Sequence, residues 1–236
     1  MSELHPLDDY HSDGKRKVRK AVRKILTRPV LKTVLKATVW GEENVEGLEG
    51  AYIVVGNHSS HLDAPMVFSL LPDHMTENLA TGAAADYFYR KKGIAKLTSV
   101  FFNTYPIERK GKTVGAHVGR AAGMTSRLLR DGIPILIFPE GTRSRDGQMG
   151  IFKPGAAAIA LKIGVPIVPL AMSGGHEAMP VGRVLPPLNH PEVELFIGEP
   201  MHGQPDDTPE VFIARVRHQI EMMLEQKTAN PDPSLS

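Results

Sequence analysis

Residues 51–65, AYIVVGNHSSHLDAP, indicate the fold class because they pass from an apolar run through a polar cluster into a helical pattern. Ala51–Val55 is short and wholly apolar, which is typical of a strand buried on both faces. Asp63–Leu71 predicts a helix, with Pro65 in its first turn, where a missing N–H group costs little. A strand that enters a helix through a polar turn is typical of α/β layer folds, whose ligands bind beyond the strand ends.

The same alternation continues along the rest of the chain. Short apolar runs predict further strands at Asn78–Thr81, Thr104–Ile107, Pro134–Phe138, Ile167–Met172 and Val193–Ile197. Between and after them, helical patterns occupy Asp86–Phe102, Thr113–Arg130, Gly155–Ile163 and Thr208–Gln226. This order predicts a single α/β domain at residues 41–227, with a mostly parallel or mixed central sheet flanked by helices. We expect a helical segment at 15–40 and disordered ends at 1–14 and 228–236.

The amino-acid composition limits the kinds of functional site that the chain can contain. The chain has 236 residues, 42% of them hydrophobic, which is enough for one sizeable core. The absence of cysteine excludes disulfides, thiolate metal sites and a cysteine nucleophile. The longest apolar runs fall short of the roughly 18 to 20 residues that span a bilayer, and the first residues lack the apolar core of a secretory signal. We therefore expect a cytoplasmic protein.

The net charge of +2 conceals a strongly basic segment, because ten Lys or Arg residues and no acid lie between Lys15 and Lys36. On a helix, one face carries the apolar side chains Val18, Ala21, Val22, Ile25, Leu26 and Pro29. The opposite face carries Arg16, Lys17, Arg19, Lys20, Arg23, Lys24 and Arg28. Such a helix lies naturally on an anionic membrane surface. The alternatives are a helix docked by its apolar face with a solvated basic side, and a nucleic-acid arm, which the regular apolar stripe disfavours.

The polar cluster Asn57–Asp63 holds residues suited to proton transfer. If the chain turns here, the imidazole of His58 meets the carboxylate of Asp63. A carboxylate bonded to one ring nitrogen fixes the tautomer and leaves the other nitrogen to accept a substrate proton. It also stabilises the imidazolium that then forms. Taken alone, these residue types favour a plainer interpretation, in which Asp63 caps a helix and His58 and His61 are surface residues.

A second polar cluster follows the apolar run in PILIFPEGTRSRDG, residues 134–147. It places a glycine, hydroxyl groups and two arginines, Arg143 and Arg145, directly after a predicted strand. This set suits an anion such as a phosphate, because the guanidinium group offers a planar pair of donors. A surface turn closed by Asp146-Gly147 is the alternative.

Together, the two clusters resemble a known family. NHxxxxD at residues 57–63 followed by FPEGTRS at residues 138–144 resembles the glycerolipid acyltransferases, the lysophosphatidic acid acyltransferase group. The resemblance covers about Ala51 to Gly175. Residues 105–109, YPIER, look like the block whose arginine helps to hold the acceptor phosphate, and residues 165–170, VPIVPL, resemble the block with the family proline. Residues 152–155, FKPG, stand where members usually carry a phenylalanine, a lysine and a glycine.

The resemblance implies an acyltransferase that moves a fatty acyl group from acyl-CoA or acyl-carrier protein to the free hydroxyl of lysophosphatidic acid, giving phosphatidic acid. It implies that His58 accepts the proton of the attacking hydroxyl while Asp63 orients the imidazole. The residues that it suggests for the acceptor phosphate are Arg109, Gly141, Thr142, Arg143 and Lys153. Glu140 cannot itself bind an anion, so we expect it to orient Arg143 or a ligand hydroxyl. No metal or cofactor is expected.

Two features depart from the family pattern. Members more often have a glycine near the position of Asn103, and they commonly carry apolar N-terminal hairpins or membrane spans. Because this chain has a cationic helix instead, we expect salt-sensitive, peripheral attachment to the cytoplasmic face of the cell membrane, with anionic lipid and no nucleic acid as partners. The alternatives are another acceptor (glycerol 3-phosphate, another lysophospholipid or a glycolipid), a lipid thioester or ester hydrolase using the same pair, an acyl-enzyme on Ser59 or Ser60, and an inactive membrane-binding protein.

Overall fold

A seven-stranded sheet forms the centre of the part of the chain that the computed structural model describes, which comprises residues 10, 12–84, 102–107, 123–179 and 191–229. The strands are β1 (Lys36–Trp40), β2 (Ile53–Gly56), β3 (Ala80–Ala84), β4 (Thr104–Ile107), β5 (Ile135–Ile137), β6 (Ile167–Ser173) and β7 (Glu192–Ile197). Their order in the sheet is β1-β7-β6-β2-β5-β3-β4. The pair β6 and β7 is antiparallel, and the other neighbours are parallel. The predicted α/β fold with a mixed sheet is confirmed.

Helices flank the sheet. They are α1 (Asp13–Val22), α2 (Arg28–Val34), α3 (Asp63–Leu70), α4 (Asp73–Thr76), α5 (Gly155–Ile163), α6 (Gly175–Ala178) and α7 (Pro209–Ala229), and residues 123–130 are also helical. The bounds of α5 are those predicted, and the helix ends at Gly164, whose φ of 80° suits a residue without a Cβ. The other predicted helical residues, 86–101 and 113–122, lie outside the described part of the chain, as do 1–9, 11 and 230–236 of the predicted disordered ends.

The two faces of the sheet carry separate hydrophobic clusters because side chains alternate along each strand. On one face, Val54 belongs to the same buried cluster as Met66 of α3. On the other face, Ile53 shares a cluster with Ala157 of α5 and Phe212 of α7. A strand covered by helices on both sides explains why the segment before the NHSSHLD cluster is wholly apolar.

The N-terminal helical segment begins and ends at other residues than the predicted 15 and 40. Ser12 caps α1, so ordered structure begins before residue 15, and Tyr10 is buried. A π-helical turn, Arg23–Thr27, joins α1 to α2, and Pro29 at the second position of α2 disfavours the regular α-helical bond to this turn. The helical region ends at Val34, and Lys36–Trp40 form the edge strand β1 beside β7. The basic pattern runs through Lys36 and conceals the onset of the strand alternation.

Helix α1 packs against the sheet domain by its basic face. The alternative considered from the sequence, a helix docked by its apolar face, is therefore wrong. Arg19 and Arg23 are only 5% and 4% exposed. Arg19 donates to the Asn103 side chain at 3.3 Å and to the Glu77 carbonyl at 3.1 Å, and burial lowers its pKa to about 10. Arg23 forms an ion pair with Asp73 at 2.8 Å. The acidic residues beside α4 therefore decide which face of α1 turns inward.

Candidate active site

The candidate site lies at one edge of the sheet, where three neighbouring parallel strands end. Strands β6, β2 and β5 are adjacent and run in the same direction, so the segments that follow them meet at this edge. Asn57 and His58 follow β2, Phe138 follows β5, and Gly174 follows β6. This is the position at which α/β sheets usually bind their ligands.

The structure brings the His58 imidazole and the Asp63 carboxylate together. Nδ1 of His58 lies 2.8 Å from Oδ2 of Asp63. The same oxygen accepts the backbone N–H groups of Ser59 and Ser60 at 2.7 and 2.9 Å, and the Ser60 hydroxyl donates to Oδ1 at 2.9 Å. Since a carboxylate surrounded by donors can only accept, Nδ1 of His58 carries the proton and Nε2 is the accepting nitrogen.

The carboxylate and the imidazole differ in exposure. Asp63 is fully buried at the start of α3, whereas the side chain of His58 is 20% exposed. Gly175 stands directly behind the carboxylate, because a Cβ built there would lie 3.0 Å from Oδ1 of Asp63. The buried partner is thus held in place, and the ring that would meet a substrate reaches the surface.

Phe138 is a site residue that the sequence analysis did not identify. Its ring stacks on the His58 imidazole, with centroids 4.2 Å apart and planes inclined by 12°. The stack and the bond to Asp63 fix the ring in two directions, which lowers the entropy cost of holding a catalytic group. The available signal was the FPEGTRS motif, which begins at Phe138 directly after a predicted strand.

Asn57, the first residue of the NHSSHLD cluster, joins two strand ends. Its side-chain amide donates to the Met172 carbonyl at 2.9 Å, and the Met172 N–H donates to its Oδ1 at 2.8 Å. Because both bonds are buried, their loss would leave backbone groups of β6 unpaired. The asparagine therefore fixes the start of the turn that carries His58.

Glu140 has partners other than those expected. Its carboxylate accepts the backbone N–H groups of His58 at 2.7 Å and of Gly150 at 2.9 Å. Arg143, which it was expected to orient, instead directs Nη1 towards Nε2 of His61. Burial, followed by the Arg143 charge, lowers the pKa of His61, so the neutral ring is available as an acceptor. The interpretation of Glu140 as an anchor for Arg143 is corrected.

The other residues of the predicted phosphate-binding set surround the turn after β5. Gly141 and Thr142 are exposed, and Gly141 has a φ of 72°. A Cβ on Gly141 would lie 2.8 Å from Nζ of Lys153, so the ammonium group sits against this glycine. Arg109 lies outside the described residues. The turn thus presents the charges of Arg143 and Lys153 on the side of the sheet that carries His58.

Ser59 and Ser60 are the residues of the alternative acyl-enzyme mechanism. The Ser60 hydroxyl donates to Asp63 and accepts the Leu62 N–H at 2.9 Å, so its proton is directed at the Asp63 carboxylate and not at the His58 base. Ser59 and Ser60 are both buried, at 6% and 0% exposure. A nucleophilic serine would need to donate to the catalytic base, and this arrangement of Ser60 does not favour that.

Comparison with known proteins identifies the family. The family model described as Acyltransferase matches residues 36–173, from β1 to the end of β6. The chain belongs to this acyltransferase family. The acyltransferase match includes β1, in agreement with the corrected start of the sheet domain.

Individual relatives within the acyltransferase family point to one group. The chain is 28% identical over 208 residues to the 1-acyl-sn-glycerol-3-phosphate acyltransferase BAT2, chloroplastic, of Brassica napus, covering 86% of this chain and 56% of that protein. It is 33% identical over 176 residues to the 1-acyl-sn-glycerol-3-phosphate acyltransferase alpha of Ovis aries, covering 72% and 56%. The chain thus spans about half the length of the curated relatives that it matches.

A solved structure shares the fold of this member of the acyltransferase family. The 1-acyl-sn-glycerophosphate (LPA) acyltransferase PlsC of Thermotoga maritima superposes with a TM-score of 0.69 and 25% sequence identity. The superposition covers 92% of this chain and 85% of that one. The likeness therefore includes most of the sheet and its flanking helices.

Proposed function

We propose that this chain transfers a fatty acyl group from a thioester, acyl-CoA or acyl-carrier protein, to the free hydroxyl of lysophosphatidic acid, giving phosphatidic acid. The main support is the hydrogen bond of 2.8 Å between Nδ1 of His58 and the buried Asp63 carboxylate. This bond leaves Nε2 of His58 free to act as a base at the edge of the sheet. The names of the relatives support the choice of acceptor.

The reaction requires one proton to move twice. Nε2 of His58 accepts the proton of the acceptor hydroxyl as its oxygen attacks the thioester carbonyl, and a new C–O bond forms. The tetrahedral intermediate collapses, the C–S bond breaks, and the imidazolium returns the proton to the departing thiolate. Asp63 stabilises the imidazolium and keeps the ring oriented through both steps. The scheme uses no metal, cofactor or acyl-enzyme.

Binding of the acceptor phosphate is proposed for the turn after β5. Arg143 offers a guanidinium group beside His61, and Lys153 places its ammonium against Gly141. Both cations suit a phosphate dianion, Arg143 as a bidentate donor and Lys153 as a point charge. Arg109, outside the described residues, completes the proposed set through the family resemblance.

The N-terminal helices support attachment to a membrane surface. On their outward side lies a row of exposed apolar residues, here called the apolar ridge: Val18, Ile25, Leu26 and Val30, at 51%, 78%, 58% and 47% exposure. Exposed Lys17, Lys24 and Lys32 accompany it. No helix in the described ranges combines the length and apolar character needed to cross a bilayer. We propose that the apolar ridge inserts among anionic lipids on the cytoplasmic face.

This geometry changes the expected response to salt. Arg19 and Arg23 are buried against the body and cannot reach lipid headgroups, which removes two charges from the surface that would face the membrane. The apolar ridge contributes through the hydrophobic effect, which salt does not screen. We therefore propose attachment that is less salt-sensitive than the amino-acid pattern predicts.

A transfer assay on lipid vesicles tests the proposal. Purified protein is incubated with a labelled acyl thioester, with and without lysophosphatidic acid, and labelled phosphatidic acid is measured. We expect product only with the acceptor, and no detectable transfer by His58→Ala, which should still bind vesicles. His218→Ala, an exposed histidine on α7, is the matched control.

Each other outcome points to one alternative. Transfer by His58→Ala at the wild-type rate would contradict the catalytic assignment. Release of free fatty acid regardless of acceptor would indicate a hydrolase. Faster transfer to glycerol 3-phosphate or to another lysophospholipid would replace the proposed acceptor.

A further inference from the structure

Glu140 is a buried carboxylate of the second sequence cluster that contacts the first cluster at His58. It is 7% exposed, which is unusual for a glutamate unless the carboxylate is paired. Burial raises the pKa of Glu140, and the hydrogen bonds from the backbone of His58 and Gly150 offset part of that rise. These backbone donors thus stabilise the charged form of the carboxylate against burial.

These donors connect Glu140 to the catalytic residue. Oε1 accepts the His58 N–H at 2.7 Å, while the His58 carbonyl accepts the Ser144 N–H at 2.8 Å. The loop after β5 therefore binds both backbone polar groups of His58. Side chains on a backbone held in this way start from a fixed Cα position, and Phe138 and Asp63 then fix the ring.

The second oxygen closes the loop itself. Oε2 accepts the Gly150 N–H at 2.9 Å, joining the two ends of the segment that carries Arg143. A Cβ on Gly150 would lie 2.8 Å from this oxygen, so the approach requires glycine. With one N–H on each oxygen and a negative charge of its own, Glu140 is poorly suited to touch the phosphate of an acceptor.

We propose that Glu140 is a positioning residue for His58: its carboxylate holds the backbone of the catalytic histidine on the loop that presents Arg143. The inference rests on the proposed function, because it assigns a role relative to the proposed base. It predicts a loss of catalytic rate when the carboxylate is altered, with binding of both substrates retained.

Glu140→Gln tests this role with nearly unchanged side-chain volume. The carboxamide has one accepting oxygen and no charge, so one of the two N–H groups would face its NH2 group and the other would donate to a weaker, neutral acceptor; the His58 bond is weakened in either orientation. Loss of one bond to a charged acceptor corresponds to about a 10- to 100-fold change. We expect kcat to fall by that factor, with KM for lysophosphatidic acid and for the thioester within about twofold of wild type. Glu210→Gln, an exposed glutamate on α7, is the control and should leave both constants unchanged.

A KM effect would give the opposite conclusion. If Glu140→Gln raises KM for lysophosphatidic acid and leaves kcat unchanged, Glu140 contacts the acceptor and the proposal is wrong. Unchanged kcat and KM would also overturn it.

A second variant addresses the possibility that Glu140→Gln does not fold. Gly150→Ala leaves Glu140 in the chain but pushes Oε2 away, since the new methyl group would lie 2.8 Å from it. We expect kcat to fall again with KM retained, and unchanged kcat would overturn the proposal. Gly123→Ala, at a helical position with open space around the added methyl group, is the control.

Hydrogen–deuterium exchange separates this inference from the proposed function. In a folded variant that lacks the Glu140 carboxylate, the His58 amide should exchange faster than in wild type and in Glu210→Gln. This readout does not require activity, so it still applies if the wild-type chain transfers no acyl group. Equal exchange in Glu140→Gln and wild type would overturn the proposal.

Discussion

Replacing Ile25 and Leu26 together by serine should weaken membrane binding at every ionic strength. The two side chains are 78% and 58% exposed on the apolar ridge, so most of their surface is available to lipid. Full burial of such a side chain contributes about 1.5 to 3 kcal/mol. Scaled by the exposed fractions, the pair contributes about 2 to 4 kcal/mol, or about a 30- to 1,000-fold change in the partition coefficient.

The comparison variant removes charge and keeps the apolar ridge. Lys17→Gln with Lys24→Gln should cost about 2 kcal/mol on anionic vesicles at low salt, at about 1 kcal/mol for each basic residue near the surface. At about 1 M salt the Debye length falls to about 3 Å, and most of this loss should disappear. The serine variant should remain impaired there, since apolar burial is not screened.

Co-sedimentation with phosphatidylglycerol-containing vesicles at low and high salt measures both effects. Thermal unfolding of each variant is the control, and it should change little because the substituted side chains face outward. Wild-type binding by the serine variant at high salt would show that the apolar ridge does not insert into lipid. An equal loss of binding by the lysine variant at high and low salt would show that Lys17 and Lys24 do not act through screened charge.

Two further predictions concern single side chains. Asn103→Gly and Asn103→Ala both lose the bond to Arg19, but alanine also pays about 1 kcal/mol for the positive φ of 48°, so the alanine variant should be the less stable in denaturant unfolding. An alanine variant as stable as the glycine variant would contradict the strain argument. Phe138→Leu keeps an apolar contact but loses the flat stack on His58, and we expect initial rates to show kcat about tenfold lower with KM retained. An unchanged kcat would show that the stack does not help to hold the imidazole.

The parts of the site that could be predicted are those set by local sequence. His58 and Asp63 are five residues apart, and the turn between them is short enough for one hydrogen bond to close it. Likewise, the apolar run at β2 is enough to predict a buried strand, and the glycine after α5 is enough to predict the end of the helix. Such signals do not depend on the rest of the fold.

The parts that could not be predicted depend on contacts between distant segments. Glu140 and His58 are 82 residues apart, and only the pairing of β2 with β5 places the carboxylate beneath the His58 N–H. Similarly, helical periodicity gave α1 a basic and an apolar face but no indication of which would turn inward. Asp73 and Glu77 decide that orientation by pairing with the basic side chains. Because both acids lie outside residues 15–40, no pattern within that segment reveals them.

Asn103 connects the two departures from the family pattern. It has a φ of 48°, in the region that glycine adopts freely and that asparagine tolerates better than most other residues, so the backbone shape does not require the family glycine. The side chain that glycine would lack accepts Arg19 at 3.3 Å and donates to the Asn78 carbonyl at 3.3 Å. Arg19 belongs to the cationic helix, which is the second of these departures. The asparagine and the cationic helix are therefore one structural feature, in which Asn103 supplies an anchor for Arg19, whose burial leaves the apolar ridge facing outward.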